Sequence, residues 1–475
     1  MITARLSPSF AAAIQGEAIL AKARATAFDV YLKRHPKTVH VDAFLHDLNG
    51  NLRGKRLPVA EAAKLWKSGL EMPRCMLFLD PTGDDLDPGG RVTSLGDPDG
   101  AALPIANLLA PVPWVEEPTA QILLQMTDPA RDPNHGNPSR YCPRAALMGT
   151  LAHFKRLGLT PVVAVELEFY LFDRDRDADG LPIAVNNPVT GLKETSKQPY
   201  SIDDLDAYGV FIRRVAAYAR KQNIPASAAI TEYSPGQFEI NLKHQDDAVA
   251  ACDNAVLLKR AIKAAARIDG HQASFMAKPF LDAAGSGMHI HVSLVDKKGR
   301  NAFGTGAKGE TLLRQAIAGL QAAMPESMAI FGANLNGFRR YQPGHNVPIT
   351  PSWGHNNRSV AFRIPAGGPA ARRIEHRVAG ADANPYLVMA AVLAGMLHGI
   401  AGKLKPTAET KGDAGDAADP SVPFEFMAAL DRFEKAKILP RFIRPDMLGL
   451  MLDQKRAEMR KFMGTISRQE YDWYL

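Results

Sequence analysis

Apolar and polar residues change their spacing along this chain of 475 residues, and the spacing predicts the elements. From Val39 to Leu48 the two kinds alternate. Asn49-Gly50 is a type I′ turn signal, and Leu52 to Pro58 returns as the second strand of a hairpin. A helix is expected over 59–68, followed by strand-like runs at Cys75–Leu79 and Ala120–Met126. Further along, helical spacing appears near 144–157, 203–222, 246–269 and 311–323. Strand patterns lie near 161–172, 226–232, 237–243 and 287–296. Pro235-Gly236 turns the chain between the second and third of these strands, so they pair antiparallel and the class is α+β. The apolar run from Leu387 to Ala401 contains His398, is too short to span a bilayer and is expected as a buried core helix.

A loop rich in Pro, Asn and Gly from Asp128 to Pro143 marks the expected boundary between domains 1–135 and 136–475. Near the N-terminus, Gln15, Glu17 and Lys22 interrupt an Ala/Ile-rich stretch, which predicts a surface helix and not a signal peptide. Gly412 to Asp419 is a polar loop, and no internal repeat is present.

Composition narrows the partners. Hydrophobic residues make up 46% and charged residues 23%, as in an ordinary soluble globular protein. The formal charge is +7, yet no basic run interleaves with aromatics, so neither nucleic acid nor membrane is an expected partner. The excess cations are expected to face phosphates or carboxylates of small ligands. Cys75, Cys142 and Cys252 are an odd number with no CxxC spacing, which excludes a disulfide framework and points to a reducing, cytoplasmic setting.

The chemistry lies in four acidic or histidine-bearing segments. Glu166 and Glu168 occupy alternate positions of a strand, hence one face, between flanks that are apolar on both sides. Two buried carboxylates repel, and a cation between them removes that penalty. Glu232 and Glu239 flank the Pro235-Gly236 turn. His289, His291 and Ser293 share a strand face after the Gly285-Ser286-Gly287 turn, and Glu375 sits beside Arg377. Five glutamates with one or two histidines form an oxygen-rich set suited to Mg²⁺ or Mn²⁺ rather than zinc. Arg339, Arg340, Arg358, Arg363, Arg372, Arg373 and Arg377 follow within a short span, and arginine forks bind phosphate and carboxylate through paired hydrogen bonds. Metal ligands beside such a set suit phosphoryl transfer.

These segments resemble the glutamine synthetase family, and they occur in the family's order. They are Glu166/Glu168, Glu232 to Glu239, Gly285-Ser286-Gly287-Met288-His289-x-His291, Asn357-Arg358-Ser359 to Arg363-Ile364-Pro365, and Arg372-Arg373-Ile374-Glu375-x-Arg377 before Asn384-Pro385-Tyr386. The resemblance implies a small N-terminal β-grasp domain and a catalytic domain with a curved antiparallel sheet. It implies Glu168, Glu232 and Glu239 on one metal and Glu166, His289 and Glu375 on a second. By the same resemblance, Gly285, His289, Arg340 and Arg377 bind glutamate. His291, Ser293, Arg358, Arg363 and Arg373 bind ATP, and Glu232, Arg340, Arg358 and Asn346 are catalytic. The family reaction makes γ-glutamyl phosphate from glutamate and ATP, and an amine then displaces phosphate. The implied assembly is a homo-oligomer of two stacked rings, a dodecamer.

The departures from the family pattern concern its ammonium site. Met72-Pro73-Arg74-Cys75-Met76 stands where the family has Asp-Gly-Ser-Ser, Asn346 stands in place of the flap Glu, and Ala284 in place of an Asn. Losing two carboxylates weakens the hold on a small cation, and Trp353 is expected as an apolar wall. The traits resemble the branch that makes γ-glutamyl conjugates of polyamines and other alkylamines, which serves polyamine catabolism and nitrogen metabolism. Putrescine, spermidine, ethanolamine and a monoamine all remain open as acceptor. The rival readings are an ordinary glutamine synthetase using ammonia and a non-catalytic protein of the same fold.

Overall fold

The structure is a computed structural model that describes residues 26–475 apart from 88, 92, 93, 95, 129–136, 195, 344–346, 416 and 417. The expected N-terminal surface helix, the domain boundary at 135/136 and the Asn346 side chain lie outside the described residues.

The expected hairpin forms as β1 (His40–His46) and β2 (Leu52–Pro58), paired antiparallel from His40 opposite Pro58 to His46 opposite Leu52. Its turn is not type I′: Gly50 has a positive φ of 84°, while Asn49 does not. Asp47 builds the turn instead. Its carbonyl accepts the Gly50 N–H at 3.2 Å and its Oδ1 accepts the Asn51 N–H at 2.7 Å. β1 is buried from Val41 to His46 on both faces, so its alternation understated its place at the centre of a sheet. That sheet adds β3 (Leu70–Pro73), β4 (Asp99–Pro104), β5 (Ala110–Pro111) and β6 (Thr119–Met126) in the order β2-β1-β6-β4-β3, with β5 also on β6. β1 and β6 run parallel, in keeping with the expected β-grasp arrangement. The expected strand at Cys75–Leu79 is instead a 3-10 turn, Arg74–Leu77. Arg74 is buried there over the Tyr141 ring, 5.1 Å from its centroid, and donates to the Arg91 carbonyl at 3.1 Å.

The second sheet has nine strands: β7 (Leu159–Arg176), β8 (Pro182–Ala184), β9 (Ala226–Thr231), β10 (Gln237–Leu242), β11 (His271–Ser274), β12 (Met288–Asp296), β13 (Trp353–His355), β14 (Phe362–Ile364) and β15 (Ile374–His376). The order is β13-β14-β15-β12-β7-β10-β9, with β8 and β11 on the far end of β7. Every pairing is antiparallel except the edge pair β13–β14. The α+β expectation therefore holds. The helix expected over 203–222 breaks at Tyr208 into Ile202–Ala207 and Gly209–Lys221.

Helix Pro385–Gly402 is long and apolar enough to cross a membrane by length and composition, but it is a core element of this fold. It lies against helix Gly306–Phe331 so closely that a Cβ on Gly319 would stand 2.0 Å from the Gly395 carbonyl oxygen. Only hydrogen side chains allow that approach. Helix Ala248–Ile268 packs against both Pro385–Gly402 and β7, which joins this core to the second sheet.

Candidate active site

Strand register assembles the polar face. Glu166 and Glu168 are i and i+2 on β7, so both point the same way. Glu168 is opposite Glu239 on β10, and Glu166 is opposite His289 on β12. His291, two residues on, is opposite Glu375 of β15, which is opposite Arg363 of β14. The chain thus draws one row of chemistry across five neighbouring strands. Glu232 joins it from the turn after β9.

The Gly285–Gly287 turn is tied to this row. Tyr170 Oη donates to the Ala284 carbonyl at 2.7 Å, Gln237 Nε2 donates to the Gly285 carbonyl at 3.0 Å, and the Gly287 N–H donates to Glu168 Oε2 at 2.6 Å. A Cβ on Gly287 would lie 2.6 Å from Arg340 Nη2, so glycine is what lets that buried guanidinium approach.

Glu166 accepts from both histidines, His291 Nε2 at 2.7 Å and His289 Nδ1 at 3.2 Å. Although burial opposes it, these donors hold the Glu166 carboxyl well below the usual range. Burial likewise opposes ionisation of Glu375, yet Arg377, His289 and His291 hold that carboxyl down to about 2. Arg377 Nη1 reaches Glu375 Oε1 at 2.5 Å, and Arg363 Nη1 reaches Oε2 at 2.6 Å. Glu232 and Glu239 are in the reverse situation. Burial and then the neighbouring Glu168 push Glu232 up to about 8, and burial with Glu166, Glu168 and Glu232 pushes Glu239 up to about 10.

Glu168, Glu232 and Glu239 each offer an oxygen within 4.8 Å of the others, and so do the ligand atoms of Glu166, Glu239 and His289. The expected grouping of Glu166 and Glu375 with His289 is not the one that closes: Glu166 and Glu375 close with His291. Mutual repulsion among the first three carboxylates is the condition a divalent cation relieves.

The cleft over this row has a volume of about 580 Å³. It is lined by Glu166, Glu168, Glu232, Glu239, Gly285, His289, His291, Arg340, Arg358, Arg363, Arg373, Glu375 and Arg377, all expected from sequence. Ser293 does not line it. Trp353 does not form its wall either: the ring is buried and its Nε1 donates to the Thr407 carbonyl at 2.9 Å. Arg340 lies deep, donating through Nη1 to the Val378 carbonyl at 2.7 Å. Sequence reasoning missed Lys197, Tyr200, Tyr233 and Asp282, which also line the cleft. Tyr200 accepts from Arg358 Nη1 at 3.2 Å and adopts a left-handed φ of 63°, while Lys197 sits 4.9 Å over the Tyr233 ring. The stretch with Lys197 and Tyr200 has no regular spacing and carried no signal.

Fold and site together define an enzyme cleft with an acidic floor faced by arginines. The family profile "Glutamine synthetase, catalytic domain" matches residues 140–474, and the chain belongs to the glutamine synthetase family. Among similar proteins, gamma-glutamylputrescine synthetase PuuA of Escherichia coli (strain K12) is 41% identical over 447 residues, covering 94% of this chain and 93% of that protein. The glutamate–isopropylamine ligase of Pseudomonas sp is 34% identical over 394 residues, covering 81% of this chain and 83% of that one. A solved structure titled "GmaS/ADP complex" superposes with a TM-score of 0.79 at 24% identity, covering 94% of this chain and 98% of that chain, and shares the fold.

Proposed function

We propose that the protein is an ATP-dependent ligase that joins the γ-carboxylate of L-glutamate to a primary alkylamine or amino alcohol, forming ADP and phosphate. The observation that carries this reading is the convergence of Glu168, Glu232 and Glu239 with Arg358, Arg363 and Arg373 in the lining of one cleft. The names of two similar proteins, for putrescine and isopropylamine, support an amine rather than ammonia as acceptor. So does Ala284, an apolar methyl in the cleft lining.

The residues present suit Mg²⁺ or Mn²⁺: all donors are carboxylate oxygens or imidazole nitrogens, and the raised Glu232 and Glu239 carboxyls mark charge in need of a cation. Glu168, Glu232 and Glu239 would hold one ion, and Glu166 and Glu375 a second, completed by an imidazole of the His289/His291 pair. Such ions supply positive charge to a bound triphosphate. Arg340 and Arg377 orient glutamate so that a γ-carboxylate oxygen meets the terminal phosphorus of ATP. The phosphorus bond to the bridging oxygen breaks, and ADP leaves with the electron pair. Arg358, Arg363 and Arg373 stabilise the phosphoryl oxygens, with His291 beside them. The amine nitrogen then attacks the acyl carbon, phosphate leaves with the carbon–oxygen pair, and the amine proton passes to Glu232. By the family resemblance, Asn346 would be a neutral neighbour for the acceptor. By the family resemblance the chain assembles as a dodecamer of two stacked rings. Three unpaired, buried cysteines suit the cytoplasm.

The test is phosphate release with ATP, L-glutamate and a panel of ammonia, putrescine, ethanolamine and isopropylamine. Specificity constants are compared at one pH and corrected to the unprotonated fraction. At least one alkylamine is expected to exceed ammonia roughly tenfold, since each buried methylene contributes about 0.8 kcal/mol. Ammonia equal or better would make the protein an ordinary glutamine synthetase.

A further inference from the structure

The helix Ala248–Ile268 departs from the usual logic of a helix packed between two units. On the face turned to the β1–β2 turn it carries Lys259 and Arg260, half-buried, and Lys263 and Arg267, exposed. Lys259, Lys263 and Arg267 are spaced i, i+4, i+8, and like charges at that spacing destabilise a helix. The face opens into a hollow of about 570 Å³, separate from the cleft above and closed on the other side by His46, Asn49 and Asn51. Phe275 and Leu52 give it an apolar flank.

The two half-buried cations of this hollow have one hydrogen-bonding partner each among the described residues. Arg260 Nη2 reaches Asp42 at 2.9 Å, but its Nε is buried without a partner among the described residues. Lys259 Nζ donates to the Ala381 carbonyl at 2.5 Å, and both it and Lys263 lie over the Phe275 ring, at 5.2 and 5.8 Å. Neither lysine nor Arg267 forms an ion pair among the described residues, and the one carboxylate in the lining is Asp382. Burial lowers the Lys259 ammonium to about 8, with the Lys263 charge adding to it. Arg260 and Arg267 also line a second hollow, with Arg56 and Trp114, so the basic surface continues along the seam.

We propose that this seam is a binding site for a small organic dianion, a carboxylate or phosphate head with an apolar body. The site is distinct from the glutamate and nucleotide cleft. Lys263 and Arg267 meet the charged head, Phe275 and Leu52 meet the body, and Asn49 and Asn51 bring the hairpin turn to the same ligand. An anion here neutralises the row of like charges and fastens the small sheet to the helix, so it raises thermal stability.

The experiment uses the full-length enzyme at constant ionic strength, with ADP and Mg²⁺ filling the catalytic cleft. Succinate, adenosine monophosphate and inorganic phosphate are titrated by calorimetry into the wild type, the Lys263→Glu/Arg267→Glu variant and the milder Lys263→Gln/Arg267→Gln variant. The expected result is one probe anion per chain with a raised melting temperature. Binding is expected to be weakened roughly tenfold or more in both variants, while turnover without added anion is unchanged. Preference for succinate or for a phosphate probe identifies the head group. Equal binding in wild type and variants, or no binding of any probe to the wild type, overturns the proposal.

Discussion

His291 presents Nε2 to Glu166 Oε1 at 2.7 Å while its Nδ1 accepts from Arg373 Nε at 3.1 Å. An arginine only donates, so Nδ1 is the acceptor and Nε2 carries the proton. One imidazole therefore links an acid of the floor to an arginine of the facing set. His291→Ala removes both bonds. Hydrogen bonds to charged groups contribute about 1.5–3 kcal/mol, so the KM for ATP is expected to rise roughly ten- to hundredfold in steady-state kinetics, with little change in melting temperature.

Metal removal should expose the repulsion among Glu168, Glu232 and Glu239. Dialysis against a chelator is expected to abolish turnover and lower the melting temperature, and Mg²⁺ restores both. Glu239→Gln removes one of the mutually raised carboxyls. Its metal-free form is expected to melt higher than metal-free wild type, to gain less from Mg²⁺, and to lose about a hundredfold or more in turnover. Calorimetric melting with and without metal separates the two effects.

Arg377 holds Glu375 at 2.5 Å and faces the cleft. Arg377→Ala leaves Glu375 with Arg363 as its one arginine partner and takes a cation from the glutamate side. The glutamate KM is expected to increase at least about tenfold, the loss of one charge-assisted bond, while the KM for ATP moves less. An unchanged glutamate requirement would locate the clamp elsewhere.

Gly287→Ala tests the close approach to Arg340. The added Cβ would stand 2.6 Å from Nη2 and 3.1 Å from His289 Nε2. The guanidinium must shift, so glutamate KM rises and kcat falls, about tenfold together, in a protein that still folds. Circular dichroism and kinetics on the same sample check both halves.

His46 is buried against the Tyr386 ring, at 5.6 Å between centroids. Burial, with Lys259 and Lys263, lowers its pKa to about 3. Between about 6.5 and 3 the unfolded chain takes up a proton that the folded chain refuses, so stability falls as pH falls. The contribution reaches about 2 kcal/mol lost by pH 5. His46→Gln should flatten that part of the urea-unfolding profile between pH 7 and pH 5, leaving the alkaline side unchanged.

Local spacing was enough for much of this protein. Glu166 and Glu168 share a face because a strand alternates, and the same holds for His289 and His291, so each pair was legible from its own segment. The Arg358, Arg363, Arg373 and Arg377 set was legible from residue type and order. The long, strongly patterned elements were legible too, and β7, β10 and β12 lie within a few residues of their expected bounds.

What only the tertiary structure decided is everything that depends on register or on a distant partner. Glu239 stands beside Glu168, and His291 beside Glu375, because of strand pairing, which no local period encodes. β13, β14 and β15 have three residues each, too few for a period to show. Trp353 was expected at the cleft, but its indole N–H finds the Thr407 carbonyl across the chain and its ring goes into the core. Tyr200 and Tyr233 reach the cleft from an irregular stretch and a turn, whose direction is set by Arg358 and the sheet edge rather than by their own sequence. A segment's spacing determines which residues share a face, while the burial of one segment against another determines what that face meets.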